Sequence, residues 1–180
     1  MPVVLDLGCG SNPRPGAIGV DRQHHSGPDV VADLNRYPYP FRDSSADEIH
    51  LDNVLEHLDD VVATIGELHR IARPGGLVRI VVPYFRSRWA AVDPTHRQQF
   101  SVASMSYFDR DHPHAERYGY SSARFSLERL TFNQSWSKRG PRAALARWAS
   151  AHPERYESRL SHLVPLDELV FELRADKPQP

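Results

Sequence analysis

Val3-Val4-Leu5-Asp6-Leu7-Gly8-Cys9-Gly10, followed by Gly19-Val20-Asp21, decides the reading of this chain. The apolar run to Leu7 reads as a strand buried on both faces, and Gly8 and Gly10 let the backbone turn tightly and approach a ligand closely. A second apolar strand then delivers Asp21, whose carboxylate can accept hydrogen bonds from both hydroxyls of a ribose. Strand, glycine turn and acidic strand end, in that order, are the layout of a nucleoside-binding site.

Spacing separates two cofactor classes. A dinucleotide fingerprint needs a third glycine opening a full helix, with the acid about 20 positions on. Here Pro13 holds that glycine's place and Asp21 comes early, while Pro13 and Pro15 leave residues 11–17 no room for a helix that could receive a pyrophosphate. S-adenosylmethionine has no phosphate, so glycine backbone, an acid for the ribose and no helix dipole suit it better.

Outward from this core, Asp29 to Leu34 reads as a third short strand and Tyr37-Pro38-Tyr39-Pro40-Phe41 as a rigid apolar connection. Asp47 to Val54 reads as a fourth strand. Val61, Val62, Ile65, Leu68 and Ile71 recur at helical spacing, and Arg73-Pro74-Gly75-Gly76 stops that helix. Leu77 to Phe85 is then a fifth strand. Alternating strands and connections imply a parallel sheet.

At this point the chain resembles the class I S-adenosylmethionine-dependent methyltransferases, in their small type 11 branch. The resemblance rests on Leu5-Asp6-Leu7-Gly8-Cys9-Gly10, Gly19-Val20-Asp21, Ala32-Asp33-Leu34, Val54-Leu55-Glu56-His57-Leu58 and Leu68 to Gly76, all in order between residues 3 and 85. It implies an α/β, Rossmann-like, doubly wound sheet of seven strands, mixed by one antiparallel strand near the edge, with the cofactor across the carboxyl ends of the first three strands. It further implies that Asp6, Gly8, Cys9 and Gly10 line the methionine end, Cys9 as a small packing side chain. Asp21, with Arg22 beside it, would hold the ribose, Asp33 and the Leu34 backbone the adenine, and Asn53 would lie near the transferring methyl. The bland reading of any one such aspartate is a turn or helix cap. Two departures stand out: the first helix is shortened, and no cap helices precede the first strand. A homodimer or a partner subunit could cover a cofactor left so exposed.

Composition bounds the rest. The chain has 180 residues, a formal net charge of −1 and one cysteine, Cys9. That length reads as one methyltransferase domain over 1–180, with a cofactor half (1–85), an acceptor-site lid and loop region (86–122) and the last two strands with a helical connection (123–176). Near-zero charge gives no reason to expect nucleic acid or an anionic membrane surface, and neither a bilayer span nor a signal peptide is evident. A lone cysteine makes the reducing cytoplasm the default.

Acceptor chemistry is expected after the fifth strand. Asp93 and His96 are the catalytic candidates: His96, placed toward the carboxyl edge, could take a proton from an acceptor hydroxyl or amine, against the competing reading of a packing histidine. Asp93 or Thr95 is also expected to cap a helix beginning there. Tyr84, Arg86, Arg88, Arg97 and Tyr107 are the candidate substrate contacts, the arginines suiting a carboxylate or phosphate. Tyr107, Phe108, Tyr118 and Tyr120 read as a lid or wall. Asp109, Asp111, His112 and His114 have metal-ligand chemistry, yet one short run and a reaction that needs no metal make this a solvated loop, and no metal is expected.

Ser122 to Phe132 and Glu168 to Arg174 alternate as strands, and Pro141 to Leu163 is basic and helix-like. Trp136, Lys138, Arg139, Arg142, Arg147 and Trp148 could bind nucleic acid, but read mainly as a solvated amphipathic helix with inward tryptophans. The expected function is methyl transfer by in-line displacement to an oxygen or nitrogen of a small molecule. The alternatives are an RNA methyltransferase, a non-catalytic cofactor-binding subunit and, least favoured because of Pro13, a nicotinamide oxidoreductase.

Overall fold

A computed structural model describes residues 2–133 and 139–178. Its strands are β1 (Val4–Leu7), β2 (Ile18–Asp21), β3 (Val30–Val31), β4 (Ala46–Asp52), β5 (Ala72–Pro83), β6 (Phe125–Asn133) and β7 (Glu168–Ala175). They form one seven-stranded sheet in the order β3-β2-β1-β4-β5-β7-β6. β1 to β5 run parallel, whereas β7 is antiparallel to both neighbours, which gives the one reversed strand next to the edge that the resemblance implied. The apolar sequences of β1 and β5 follow from this placement: central parallel strands are covered on both faces, and Leu5, Leu7, Val78, Ile80 and Val82 are buried.

Helix α1 (Val61–Ile71) matches its sequence pattern. Asp60 caps it by accepting from the Ala63 N–H at 2.9 Å, and Thr64, Ile65, Leu68 and Ile71 form its buried face. Its end differs from expectation, because the chain turns straight into β5 at Ala72, which already pairs with Ala46. Arg73 to Gly76 is therefore an irregularity inside the extended segment, taken up by a register shift opposite Ala46 and Glu48 and by Gly75 at φ 72°.

No helix separates β1 from β2, and β3 is two residues long, shorter than the Asp29 to Leu34 segment that was expected. The remaining helices are α2 (Trp89–Val92), α3 (Pro113–Tyr118), α4 (Pro141–Ala151) and α5 (Pro153–Arg159). α4 and α5 divide the expected 141–163 helix at Pro153, where a proline takes the first position of a new helix. α4 buries Ala143, Ala146 and Ala149, while Trp148, expected to pack inward, is 40% exposed and stacks on His152. Trp136 and Lys138 lie outside the described residues.

The helix expected to start at Asp93 does not form. Asp93 instead closes an Asx turn, its Oδ1 accepting from the Thr95 N–H (2.8 Å) and hydroxyl (2.7 Å). Among the described residues, no helix is long and apolar enough to cross a membrane.

Candidate functional site

The glycine turn begins where β1 stops. Leu7 pairs with Val20, and the Gly8 and Cys9 N–H groups both donate to the Val20 carbonyl, at 2.7 and 3.1 Å. Gly8 is at φ +75°, and an added Cβ would come within 2.4 Å of a Val54 methyl, so β4's end presses directly on the turn. Gly10 is at φ +55°, and a Cβ there would meet nothing within 4 Å. Open space thus lies beside a backbone that only glycine adopts without strain. Asp21 holds the turn from below: its Oδ2 accepts from the Gly10 N–H (2.9 Å) and its Oδ1 from the Gln23 N–H (2.8 Å). The cap reading of this aspartate is therefore realised, and each carboxylate oxygen keeps a further lone pair.

Asp6 is buried and accepts from the Arg14 N–H at 2.8 Å. The Arg14 guanidinium reaches Asp52 at the end of β4 (3.0 Å), so this loop is tied across the carboxyl edge of the sheet. Cys9 packs against Gly19, where an added Cβ would stand 3.0 Å from its Sγ; burial, then Asp6 and Asp21, raise the thiol's pKa and keep it protonated. Asp33 closes an Asx turn with the Asn35 N–H (3.0 Å), and Leu34 beside it is buried. Asn53 is left-handed at φ 56°, and its amide donates to Glu168 at 3.3 Å. Arg22 follows β2 and is exposed; burial first, then His96 and to a lesser extent Arg22, lower the His57 pKa. Asp6, Gly8, Cys9, Gly10, Asp21, Asp33, Leu34 and Asn53 are thus gathered along the carboxyl ends of β1 to β4.

The turn after β4 contributes two groups whose roles sequence reasoning missed, Glu56 and His57. Glu56 is 1% exposed, and neither carboxylate oxygen has a hydrogen-bond partner. Burial, reinforced by the Glu168 and Asp93 carboxylates, holds its carboxyl up at about 7. The Arg97 and Gln98 N–H groups donate to the Glu56 carbonyl at 2.8 and 3.2 Å, which pins the loop after β5 onto this turn. His96 arrives with that loop. Its Nε2 lies 4.0 Å from Glu56 Oε1 and its ring 4.7 Å from the His57 ring. The available signal was a glutamate and a histidine inside an otherwise apolar Val54 to Leu58 segment.

The acceptor-side candidates fare differently. Tyr84 is fully buried among Phe85, Phe132 and Tyr156, which removes it from any acceptor wall. Arg97 is paired with Asp59, Arg86 lies over the Phe85 ring at 4.8 Å, and Arg88 over the Trp89 ring at 4.4 Å. Tyr107 does stack with His114 and Tyr120 and meets Tyr118 at a tilt, but at the wrong end of the sheet. Phe125 donates its N–H to the Phe108 carbonyl and pairs with Ala175, next to Arg174 opposite Leu77 near the start of β5. The aromatic group and the His112–His114 run therefore lie toward the amino edge, and residues 107–122 do not roof the carboxyl edge.

A family profile described as "Methyltransferase domain", of the type 11 family, matches residues 8–80. No curated protein matches the chain by sequence. Among solved structures, a chain of the Haloferax volcanii complex between the Trm112 methyltransferase activator and a methyltransferase is similar at 17% identity and a TM-score of 0.61, covering 98% of this chain and 83% of that one. An S-adenosylmethionine-dependent methyltransferase from Archaeoglobus fulgidus matches at 17% identity and TM-score 0.59, over 96% of this chain and 86% of that one. The 16S rRNA methyltransferase KamB matches at 15% identity and TM-score 0.53, over 98% and 89%. These likenesses carry the fold, and the profile match spans the glycine turn, Asp21 and the segment from Val54 to Gly76. Over residues 8–80 the chain is similar to the type 11 methyltransferase domain, and its seven-stranded sheet is that of S-adenosylmethionine-dependent methyltransferases.

Proposed function

We propose that this chain is an S-adenosylmethionine-dependent methyltransferase that methylates an oxygen or nitrogen of a small molecule, held at the carboxyl edge between Asn53 and the Glu56–His57–His96 group. The observation that carries the donor half is the open space beside Gly10, at positive φ and backed by Asp21. Asp6, Gly8, Cys9 and Gly10 would hold the donor's methionine end, Asp21 and Arg22 its ribose, Asp33 and Leu34 its adenine. The donor supplies a sulfonium methyl open to in-line displacement, so the chain's own tasks are alignment and proton removal. His96 is suited to the second task, because its Nδ1 bonds to the Ala90 carbonyl at 3.3 Å and leaves Nε2 with a lone pair facing inward. Asp93 acts at one remove, through Thr95, which contacts His57 at 2.9 Å.

The small-molecule reading is supported by the charge of this edge. Glu56, Asp93 and Glu168 line it, and Arg86, Arg88 and Arg97 are engaged with their own neighbours. A formal net charge of −1 gives a phosphodiester chain little electrostatic pull toward this edge. The engaged arginines also weaken the expectation of an anionic substrate. An activator-bound neighbour and the 52% exposure of Val31 at the carboxyl end of β3 favour a homodimer or partner subunit that covers the cofactor.

Radiolabelled methyl transfer from the donor, assayed against hydroxyl- and amine-bearing small molecules and against total RNA, tests the reading. Label in small molecules is expected. Label in RNA alone, with salt-dependent RNA binding, would favour the nucleic-acid alternative, and donor binding without turnover would favour a non-catalytic subunit.

A further inference from the structure

We infer that Glu56, His57 and His96 bind a divalent transition cation, of the zinc or manganese kind, at the carboxyl edge. One ligand atom from each residue lies within 4.8 Å of the other two. The hydrogen-bond network fixes which ring nitrogens carry lone pairs. His96 Nδ1 can only donate to the Ala90 carbonyl, so Nε2, at 4.0 Å from Glu56 Oε1, carries a lone pair. The Thr95 hydroxyl spends its proton on Asp93 Oδ1 at 2.7 Å, so its 2.9 Å contact with His57 Nδ1 makes that nitrogen the donor and Nε2 the acceptor. Glu56 adds two buried oxygens with no donor between them. Each imidazole thus keeps one ring-nitrogen lone pair beside a carboxylate to which the described residues donate no hydrogen bond, a donor set that a cation would satisfy.

The surroundings have the form of a metal site's outer shell. Each histidine donates its far nitrogen to an oxygen, His96 to a backbone carbonyl and His57 through Thr95 to a carboxylate, the arrangement that orients imidazole ligands. Three protein ligands leave a position open, as in catalytic rather than structural sites. This deepens the proposed function, resting on its donor site and acceptor position while reassigning the base role of His96. A hydroxyl of the acceptor would take the open position, its O–H would break with the proton passing to water at the exposed Thr95 side, and His96 would serve as ligand rather than base. Cation-assisted ionisation selects oxygen over nitrogen as the methylated atom.

Chelator-treated protein titrated with zinc chloride alone, and with manganese chloride alone, by calorimetry is the test, with cobalt absorption as a second readout. One equivalent is expected to bind, with binding lost in Glu56→Gln and His96→Asn, weakened about 10- to 100-fold in Thr95→Ala, which disturbs only the outer shell, and unchanged in His112→Asn/His114→Asn. Wild-type protein that takes up no stoichiometric cation, or Glu56→Gln and Thr95→Ala that bind as the wild type does, would overturn the inference. S-adenosylhomocysteine titrated into the same samples separates the two readings: donor binding without the cation sinks the inference alone, and cation binding without the donor sinks the proposed function.

Discussion

Gly10→Ala should separate folding from donor binding. Gly10 is at φ +55°, so a β-carbon there carries the left-handed penalty, about 1–2 kcal/mol. For a domain of this size that is a fall in Tm of about 2–8 °C. Steric cost adds nothing in the free protein, since the new methyl meets no atom within 4 Å. The methyl does enter the space assigned to the donor's methionine end, and a lost close approach of even 1.4 kcal/mol is about tenfold in affinity. Melting followed by near-ultraviolet circular dichroism, with calorimetric titration of S-adenosylhomocysteine, reads both quantities. A folded variant that binds S-adenosylhomocysteine as tightly as the wild type would refute the assignment of that space.

Other outcomes follow from the packing. Glu67 accepts from the Arg70 guanidinium (2.7 and 2.8 Å) and from the Tyr39 N–H (2.7 Å), and the Arg70 bonds hold its carboxyl below the usual range. The unfolded chain therefore binds the extra proton, the stabilisation is fully present above the ordinary glutamate value near 4.5, and it is lost as pH falls through the folded value. Glu67→Gln should cost about 1–3 kcal/mol at neutral pH and flatten the acid limb of urea midpoint against pH; an unchanged limb would show that the pair contributes nothing. Burial favours neutral His50 and His69, so stability should also decline as pH drops below their ordinary value of 6.5, a decline that His69→Gln should reduce in the same titration. Leu68→Ala, on the buried face of α1, should lower unfolding free energy by about 2–5 kcal/mol in urea, and Asp60→Ala by about 1 kcal/mol through the lost cap.

Much of the fold was legible because its signals are local. Central parallel strands are covered on both faces, so β1 and the Leu77–Pro83 part of β5 announce themselves by their apolar runs, and α1 carries its cap and its stripe within a dozen residues. β3 came out shorter because Asp33 turns the chain with its own side chain rather than extending the strand. Asp93 misled for a related reason: an aspartate two residues before a threonine offers the same acceptor to a helix cap and to an Asx turn, and only the absence of a following helix decides. The Tyr107 to Tyr120 segment was misplaced because the chain, after leaving the carboxyl edge at Tyr84, crosses to the amino edge before Phe125. Position along the sequence does not record that crossing. Glu56, His57 and His96 escaped as a group because backbone bonds from residues 97 and 98 to Glu56 join them across some forty positions.

A crystal structure with S-adenosylhomocysteine bound tests the central claim most directly. The account expects its methionine end against Gly8 and Gly10, its ribose hydroxyls on Asp21 and its adenine beside Leu34. Density for the molecule at another place, with the space beside Gly10 still open, would contradict it.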